Sequence, residues 1–406
     1  MRLLLNVFAE AGKLNAMLAV AQELERRAHE VVFYCAYGDI SAKVKAAGLS
    51  ARCIGGVAAE GFSQASTNRA AVFTEKMGNP KWAAHWLKGV LLADVPRQVD
   101  EITAALSDVK PDVFVTHPMS YAGAIAATRA KIPWAAVSTG FMALIPDAGE
   151  SSARETFAHL ADARQKVFAR YAVDLACRVS DVISPWLNIM FASEEMFPRS
   201  ISGNDHSHLV GPCAPRQGRG DENRFPWDQL PRDRPIVLVA FGSHLAPRPG
   251  TYAALIDALS PDEAYFVIVT RERGDLPDAL PPHVMITPWV PQLPMLERAS
   301  VMVNHGGSNS VMECISRGKP MLSIPFLYDQ PEIARRVAAS GAGIMLENDR
   351  VTKDACRAAL LALLDPTGPT LRTAELARSL PDGAAATCDL LERLAAGEAL
   401  RQPGHA

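Results

Sequence analysis

The chain has 406 residues, 41 Lys and Arg against 44 Asp and Glu, a formal net charge of −3, and a composition that is 49% hydrophobic and 21% charged. That length suffices for two or three core-forming domains, and so small and well mixed a charge argues against a nucleic-acid surface or a polybasic membrane patch. No run of about 18 apolar residues occurs, and the apolar part of MRLLLNVFAEAGK is too short for a signal sequence, so neither integral membrane association nor export is expected. The seven cysteines are scattered without a CxxC pair and read as reduced, mostly buried thiols of a cytoplasmic protein.

In chain order, Leu3 to Val7 is an apolar run of the kind a parallel sheet buries on both faces, and Leu14, Met17, Leu18, Ala21 and Leu24 then recur at helical spacing. The loop between them offers Gly12, Lys13 and Asn15. Arg26 and Arg27 suit the end of a helix dipole, and EVVFYCA starts the next strand, completing a βαβ unit. Trp82, His85 and Trp86 fall at helical spacing in NPKWAAHWLKGV. PDVFVTHPMS reads as a strand ending in a loop, followed by a helix near Ala122 to Ala130 and the strand WAAVST.

Residues 206 to 234 are dense in Pro, Gly and charge and read as an interdomain linker. His206 and His208 form an H-x-H there, with no other ligand cluster to suggest a metal. A second series follows: strand IVLVAFGS, helix TYAALIDALS, strands AYFVIVT and VMITPWV, helix MLERAS, strand VMVNHGG, a helix from about Asn309, and PMLSIPF. The alternation predicts an α/β fold of two facing, Rossmann-like, doubly wound parallel-sheet domains. The expected layout is 1–205, a linker at 206–234, 235–385, and a helix at 386–406 packing back on the first domain.

Ligands of open parallel sheets bind beyond the carboxyl ends of the strands, which directs attention to NHGGSNSVMECISRGKPMLSIPFLYDQ, residues 304 to 330. Gly306 and Gly307 admit close backbone approach, and Ser308, Asn309 and Ser310 suit a helix start whose N–H groups and dipole favour an anion. His305 can add a hydrogen bond or a charge. Glu313, one turn after Asn309, can accept two hydroxyls of a ribose, and Asp329 and Gln330 are an acceptor and an amide of the kind that reads sugar hydroxyls. Upstream, Trp289 offers a ring for base stacking and Gln292 an amide.

The stretch from Trp289 to Gln330 resembles the signature of family 1 glycosyltransferases, which have the two-domain GT-B fold and take sugars from UDP or TDP donors. The resemblance implies base stacking by Trp289, base or ribose contact by Gln292, diphosphate contact by His305, Gly307, Ser308, Asn309 and Ser310, ribose contact by Glu313, and donor-sugar contact by Asp329 and Gln330. Ser243, in FGSH, matches a further diphosphate-facing loop, and His244 beside it is a weaker candidate. AGKLNAMLAVAQELERRAHEVVFYC resembles the family's first βαβ unit. PDVFVTHPMSYAGAIAATRAKIPW and SPWLNIMFASEEMFP resemble the acceptor side of a bacterial natural-product and rhamnosyltransferase-like subgroup.

Many family members carry a histidine base after the glycine of the first loop, oriented by an aspartate on a later loop; some bacterial relatives have an aspartate in its place. Here the two positions are Lys13 and His117. A lysine, with an ordinary pKa of about 10.4, needs a fall of ~3 units to serve as a base near neutrality, whereas histidine titrates near ~6.5. His117 is therefore the expected base, and Lys13 a cation for the departing diphosphate or an anionic acceptor group. No Asp-x-Asp occurs, so neither a metal nor another cofactor is expected.

The implied reaction is a single inverting displacement by an acceptor on the anomeric carbon. The acceptor face is expected in residues 57 to 95 and 140 to 175, where Trp82, Trp86, Phe62, Phe73, Phe141 and Met142 favour a small apolar or aromatic molecule. Monomer and homodimer both stay open. Two alternatives also stand: a catalytically weak homologue that binds nucleotide sugars as an auxiliary partner, and a donor-only GT-B enzyme such as an epimerase.

Overall fold

A computed structural model describes residues 1–58, 70–197, 206–215, 218–220, 222, 225–242, 245–271, 276–277 and 279–400. They divide into two compact units, Met1–Thr67 with Glu75–Gly220 and Pro381–Ala406, and Asn68–Thr74 with Asp221–Leu380.

The first unit is built on a sheet of β1 (Arg2–Val7), β2 (Glu30–Tyr37), β3 (Arg52–Ala58), β4 (Val113–Thr116) and β5 (Trp134–Ser138). A small antiparallel hairpin, β6 (Cys177–Arg178) and β7 (Asp181–Val182), precedes β8 (Leu187–Met190) and β9 (Ser207–Leu209), which complete it. The spatial order is β3-β2-β1-β4-β5-β8-β9, with every neighbouring pair parallel. Leu3, Leu4, Leu5, Val113 and Phe114 are fully buried, as strands covered by helices on both faces require.

The stretch expected to be a linker departs from expectation at its start, because Ser207 to Leu209 pairs with β8 as the edge strand. The Pro- and Gly-rich run begins only at Gly211. The His206 and His208 rings lie 3.2 and 3.4 Å from the Leu400 carbonyl, tying this edge to the chain's end.

Helix Ala11–Arg26 buries Leu14, Met17, Leu18, Val20 and Leu24 against the sheet. The helix Gly383–Ala395 joins the same core through Cys388, Leu391 and Leu394. At roughly 1.5–3 kcal/mol for each fully buried leucine, this helix contributes substantially to a unit distant from it in sequence. Arg27 ties it further, donating to Asp389 at 2.6 Å and Glu392 at 3.0 Å, while the His29 ring meets Glu392 at 2.7 Å.

The second unit repeats the plan with β10 (Ile236–Ala240), β11 (Tyr265–Val269), β12 (Val284–Thr287), β13 (Val301–Asn304), β14 (Met321–Ser323) and β15 (Gly343–Met345). Its order is β12-β11-β10-β13-β14-β15, again all parallel. In each sheet successive strands move outward one way and then the other, so the order reverses at β1/β4 and at β10/β13. Such switch points open a crevice at the carboxyl ends of the two central strands. All seven cysteines are free, and among the described residues no helix is long and apolar enough to cross a membrane.

Candidate active site

At the switch point of the first unit, Asn6 is the penultimate residue of β1 and Thr116 the last of β4. Asn6 is buried, and its Nδ2 donates to Thr116 Oγ1 and Ser120 Oγ, both at 2.8 Å. The network exists because residue 123, on the next helix, has no side chain: a Cβ there would lie 2.4 Å from Thr116 Oγ1 and 2.6 Å from Asn6 Nδ2. Sequence reading passed over Asn6, Ser120 and Gly123, since nothing local links residues more than a hundred positions apart.

On this platform sit Phe8, Lys13 and His117. The Lys13 Nζ lies 4.7 Å from the centre of the Phe8 ring, which meets the His117 ring edge-on at 5.2 Å. His117 is only 8% exposed, and burial, reinforced by the Lys13 charge, pushes its basicity well below the ordinary histidine value. The Met119 backbone N–H donates to Nδ1 at 3.2 Å, so the proton of the neutral ring belongs on Nε2, which faces Thr139 Oγ1 at 3.4 Å. This geometry argues against the base role expected of His117, because the lone pair is committed to backbone and the other nitrogen is a donor.

The acceptor-side aromatics divide. Phe141 is 1% exposed and packs edge-on against Phe197, so it belongs to the core rather than to a pocket wall; Met142 is also buried. Trp82 and Trp86 are half-buried on helix Pro80–Leu92, whose Ala83, Ala84 and Leu87 turn inward, and His85 is exposed. Phe73 is half-buried. Phe62 lies outside the described residues, as do Ser243 and His244.

In the second unit, the loops after β10, β12, β13 and β14 carry the remaining candidates. Trp289 follows β12 and is among the most exposed large apolar side chains, at 37%. Gln292 starts the next helix, and its Nε2 donates to Glu313 Oε2 at 2.7 Å and Ser310 Oγ at 3.3 Å. Base-side and ribose-side candidates are thus brought together, with Glu313 only 5% exposed.

The loop after β13 is held from below by Asn304. Its Oδ1 accepts from the Gly306 N–H at 2.7 Å and from Ser323 Oγ at 3.1 Å, while its Nδ2 is buried with no hydrogen-bond partner. Gly306 turns at φ +77°, and a Cβ there would sit 2.9 Å from the Gln330 carbonyl. His305 lies between Phe326, stacked at 6.0 Å, and the backbone of Gly242 and Gly307; a Cβ on Gly307 would come within 2.7 Å of the ring. Gly307 is also the N-cap of helix Ser308–Ser316 and brings no side-chain acceptor of its own. A half-exposed imidazole and a helix N-terminus therefore share one edge, an arrangement suited to an anion.

Asp329 and Gln330 follow Tyr328, whose φ of +60° is uncommon for a residue with a side chain. Gln330 is 7% exposed, and its Oε1 accepts from the Phe326 and Leu327 N–H groups at 2.9 and 3.1 Å. Its carbonyl end therefore shapes the loop that carries Phe326 and Tyr328. Among the described residues no group of three or more His, Cys, Asp or Glu could hold a metal ion.

Residues 184–368 match the family model for UDP-glucoronosyl and UDP-glucosyl transferase. The aklavinone 7-beta-L-rhodosaminyltransferase of Streptomyces galilaeus is 26% identical over 443 residues, covering 99% of this chain and 98% of that protein. An uncharacterized UDP-glucosyltransferase of Bacillus subtilis (strain 168), YdhE, is 33% identical over 167 residues, 41% of this chain and 42% of the relative. The match thus spans less than half the length of that relative, and 45% of the NDP-glycosyltransferase YjiC of the same organism. Among solved structures, the glycotransferase of kitacinnamycin superposes with a TM-score of 0.74 at 23% identity over 97% of this chain and 98% of that one. VinC in complex with DTDP gives 0.69 at 20% over 98% of this chain and 100% of that one. The matched segment, the twin parallel sheets and these likenesses make the chain similar to the family 1 glycosyltransferases, whose GT-B fold it shares.

Proposed function

We propose that the chain transfers a sugar from a nucleoside diphosphate donor to a small natural-product acceptor, with inversion, in a single displacement. The observation that carries this reading is the second unit's edge, where Trp289 and Gln292 follow β12, His305, Glu313 and the N-terminus of helix Ser308–Ser316 follow β13, and Gln292 donates to Glu313. In this reading Trp289 stacks on the base, Gln292 and Glu313 take the base and ribose, and His305 with the helix start, joined by Ser308, Asn309 and Ser310, receives the diphosphate. The donor sugar is taken by Asp329, with the buried Gln330 shaping the loop beside it. Charge building on the leaving diphosphate meets donors already fixed in place, which is how a preorganised site lowers a barrier.

The relative from Streptomyces galilaeus is named for the sugar rhodosamine and the aglycone aklavinone, and VinC is described with DTDP. These names support a natural-product acceptor and a TDP- or UDP-linked sugar here. The half-buried Trp82 and Trp86 are the described aromatics best suited to meet such an acceptor.

Thermal shift with UDP, TDP and their sugars tests the reading directly. Stabilisation by ~2–4 kcal/mol at a hundred- to thousand-fold excess over Kd is expected for the wild type and a much smaller response for His305→Ala. Equal responses from the two proteins, or none from either, would remove the nucleotide from this edge.

A further inference from the structure

We propose, resting on the glycosyltransferase reading above, that Gln330 is a positioning residue for His305: it fixes Phe326 as the wall against which the imidazole is set to meet the diphosphate. A residue on the sugar side of the site thereby governs how tightly the nucleotide itself is held.

The His305 ring occupies a slot with three walls. Two are backbone, at Gly242 and Gly307, where an added Cβ would come within 3.1 and 2.7 Å of the ring. The third is the Phe326 ring, stacked on the imidazole at 6.0 Å with 27° between the planes and backed by Phe241 at 5.5 Å. Gly242 closely follows β10 and Gly307 caps helix Ser308–Ser316, so regular structure places both. Phe326 instead lies in the stretch between β14 and helix Gln330–Ala339, which belongs to neither strand nor helix. That stretch also carries Tyr328 at φ +60°, a conformation that is unfavourable for a bulky residue and persists only where the surroundings enforce it.

Gln330 supplies that enforcement. Its Oε1 accepts the Phe326 and Leu327 N–H groups at 2.9 and 3.1 Å. Two bonds fill both lone pairs of an amide oxygen, so only the Nε2 donor is left to meet a ligand. The bond to Leu327 is buried, and truncating the side chain would leave that N–H unsatisfied or force the loop to move. The Gln330 main-chain oxygen abuts the turn after His305, where a Cβ on Gly306 would lie 2.9 Å from it. At the other end of the stretch, the Ile324 N–H donates to the Asn304 carbonyl at 2.8 Å and Ser323 Oγ to Asn304 Oδ1 at 3.1 Å. Phe326 is thus tied on one side to the residue before His305 and on the other to Gln330.

The test uses the full chain with UDP and TDP, which carry no sugar. Calorimetric titration of the wild type, Gln330→Ala, His305→Ala and the double variant makes a cycle that isolates the coupling between the two residues. Gln330→Ala is expected to weaken both nucleotides ~10-fold where His305 is present and less than ~2-fold where it is not. In the ligand-free protein with isotope-labelled histidine, the His305 ring signals are identified by their loss in His305→Ala. They should shift in Gln330→Ala and return in Gln330→Glu, whose carboxylate again accepts both N–H groups. Phe326→Leu, which keeps every backbone bond, makes a second cycle with His305→Ala and serves where Gln330→Ala does not fold; its effect should show the same dependence on His305.

UDP and TDP affinities unchanged in Gln330→Ala, with only sugar nucleotides weakened, would make Gln330 a plain sugar contact and overturn the proposal. Equal losses with and without His305, or His305 signals indifferent to Gln330, would overturn it as well. Should His305→Ala abolish binding altogether, those signals decide alone. Failure of UDP and TDP to bind the wild type would instead sink the glycosyltransferase reading, and this inference with it.

Discussion

The two units share one plan, and each carries a buried asparagine in the last two residues of a central strand, yet they use that residue in opposite ways. Asn6 spends its amide nitrogen on two hydroxyls, closing a network with Thr116 and Ser120. Asn304 spends its oxygen on the Gly306 N–H and Ser323, fixing a turn rather than closing a network. Glycine follows the same division. Gly123 makes room for side chains that stabilise the first sheet, whereas Gly307 makes room for the His305 ring. One edge is organised as a platform, the other as a mould around the His305 ring.

The largest expected effects come from exchanging those glycines for alanine. Gly123→Ala drives a methyl into the Asn6–Thr116–Ser120 network and should cost ~3 kcal/mol of stability through overpacking and lost buried hydrogen bonds. Nucleotide affinity of the protein that remains folded should hardly change. Gly307→Ala should do the reverse, displacing the His305 ring and weakening UDP or TDP binding at least ~30-fold, about 2 kcal/mol, with a small change in melting temperature. Calorimetric unfolding and nucleotide titration of both variants decide the matter, and matching profiles would erase the distinction between platform and mould.

A smaller effect of the same kind belongs to the asparagines. Asn304→Ala leaves a buried N–H and a hydroxyl unpaired and frees the turn at Gly306. A cost of ~1–2 kcal/mol in stability and a roughly tenfold loss in nucleotide affinity are expected together. Asn6→Ala should cost a similar stability and leave nucleotide affinity alone. Nucleotide affinity unchanged in Asn304→Ala would mean that the turn is held without it.

How much of this could be read from the sequence follows from how local each feature is. The segment from Trp289 to Gln330 was legible because glycines, helix-start residues and a preceding strand stand next to one another, and the parallel-sheet class followed from apolar runs alternating with helical spacing. Phe141 was misread because an isolated aromatic carries no signal of its own; only the fold brings Phe197 against it. The state of His117 was not legible, since its tautomer is set by Met119 two residues on and its basicity is lowered by burial and Lys13. The edge strand β9 was hidden by the composition around it, three residues being too short a run to show a period.

The smallest predicted effect lies away from both edges, where the first unit differs from the second in being closed by the returning helix Gly383–Ala395. Glu23 is 4% exposed and accepts from Arg26 at 2.6 Å and Arg27 at 2.9 Å, and Arg27 in turn holds Asp389 and Glu392 of that helix. The Arg26 hydrogen bond, helped by Arg27 and opposed by burial, lowers the Glu23 carboxyl from 4.5 to about 2. A carboxyl depressed in the folded chain stabilises it fully above its ordinary value and loses that contribution as pH falls toward the folded value. The window is therefore from about 4.5 down to about 2. Glu23→Gln, which keeps the shape and removes the charge, should lower stability at pH 7 by ~1–2 kcal/mol, since Arg27 keeps Asp389 and Glu392 and the Arg26 side chain is open to water. It should also flatten the acid limb of stability against pH within that window. Denaturant unfolding at several pH values measures both slopes, and parallel slopes for the two proteins would show that the clasp holds the returning helix by packing and not by the Glu23 charge.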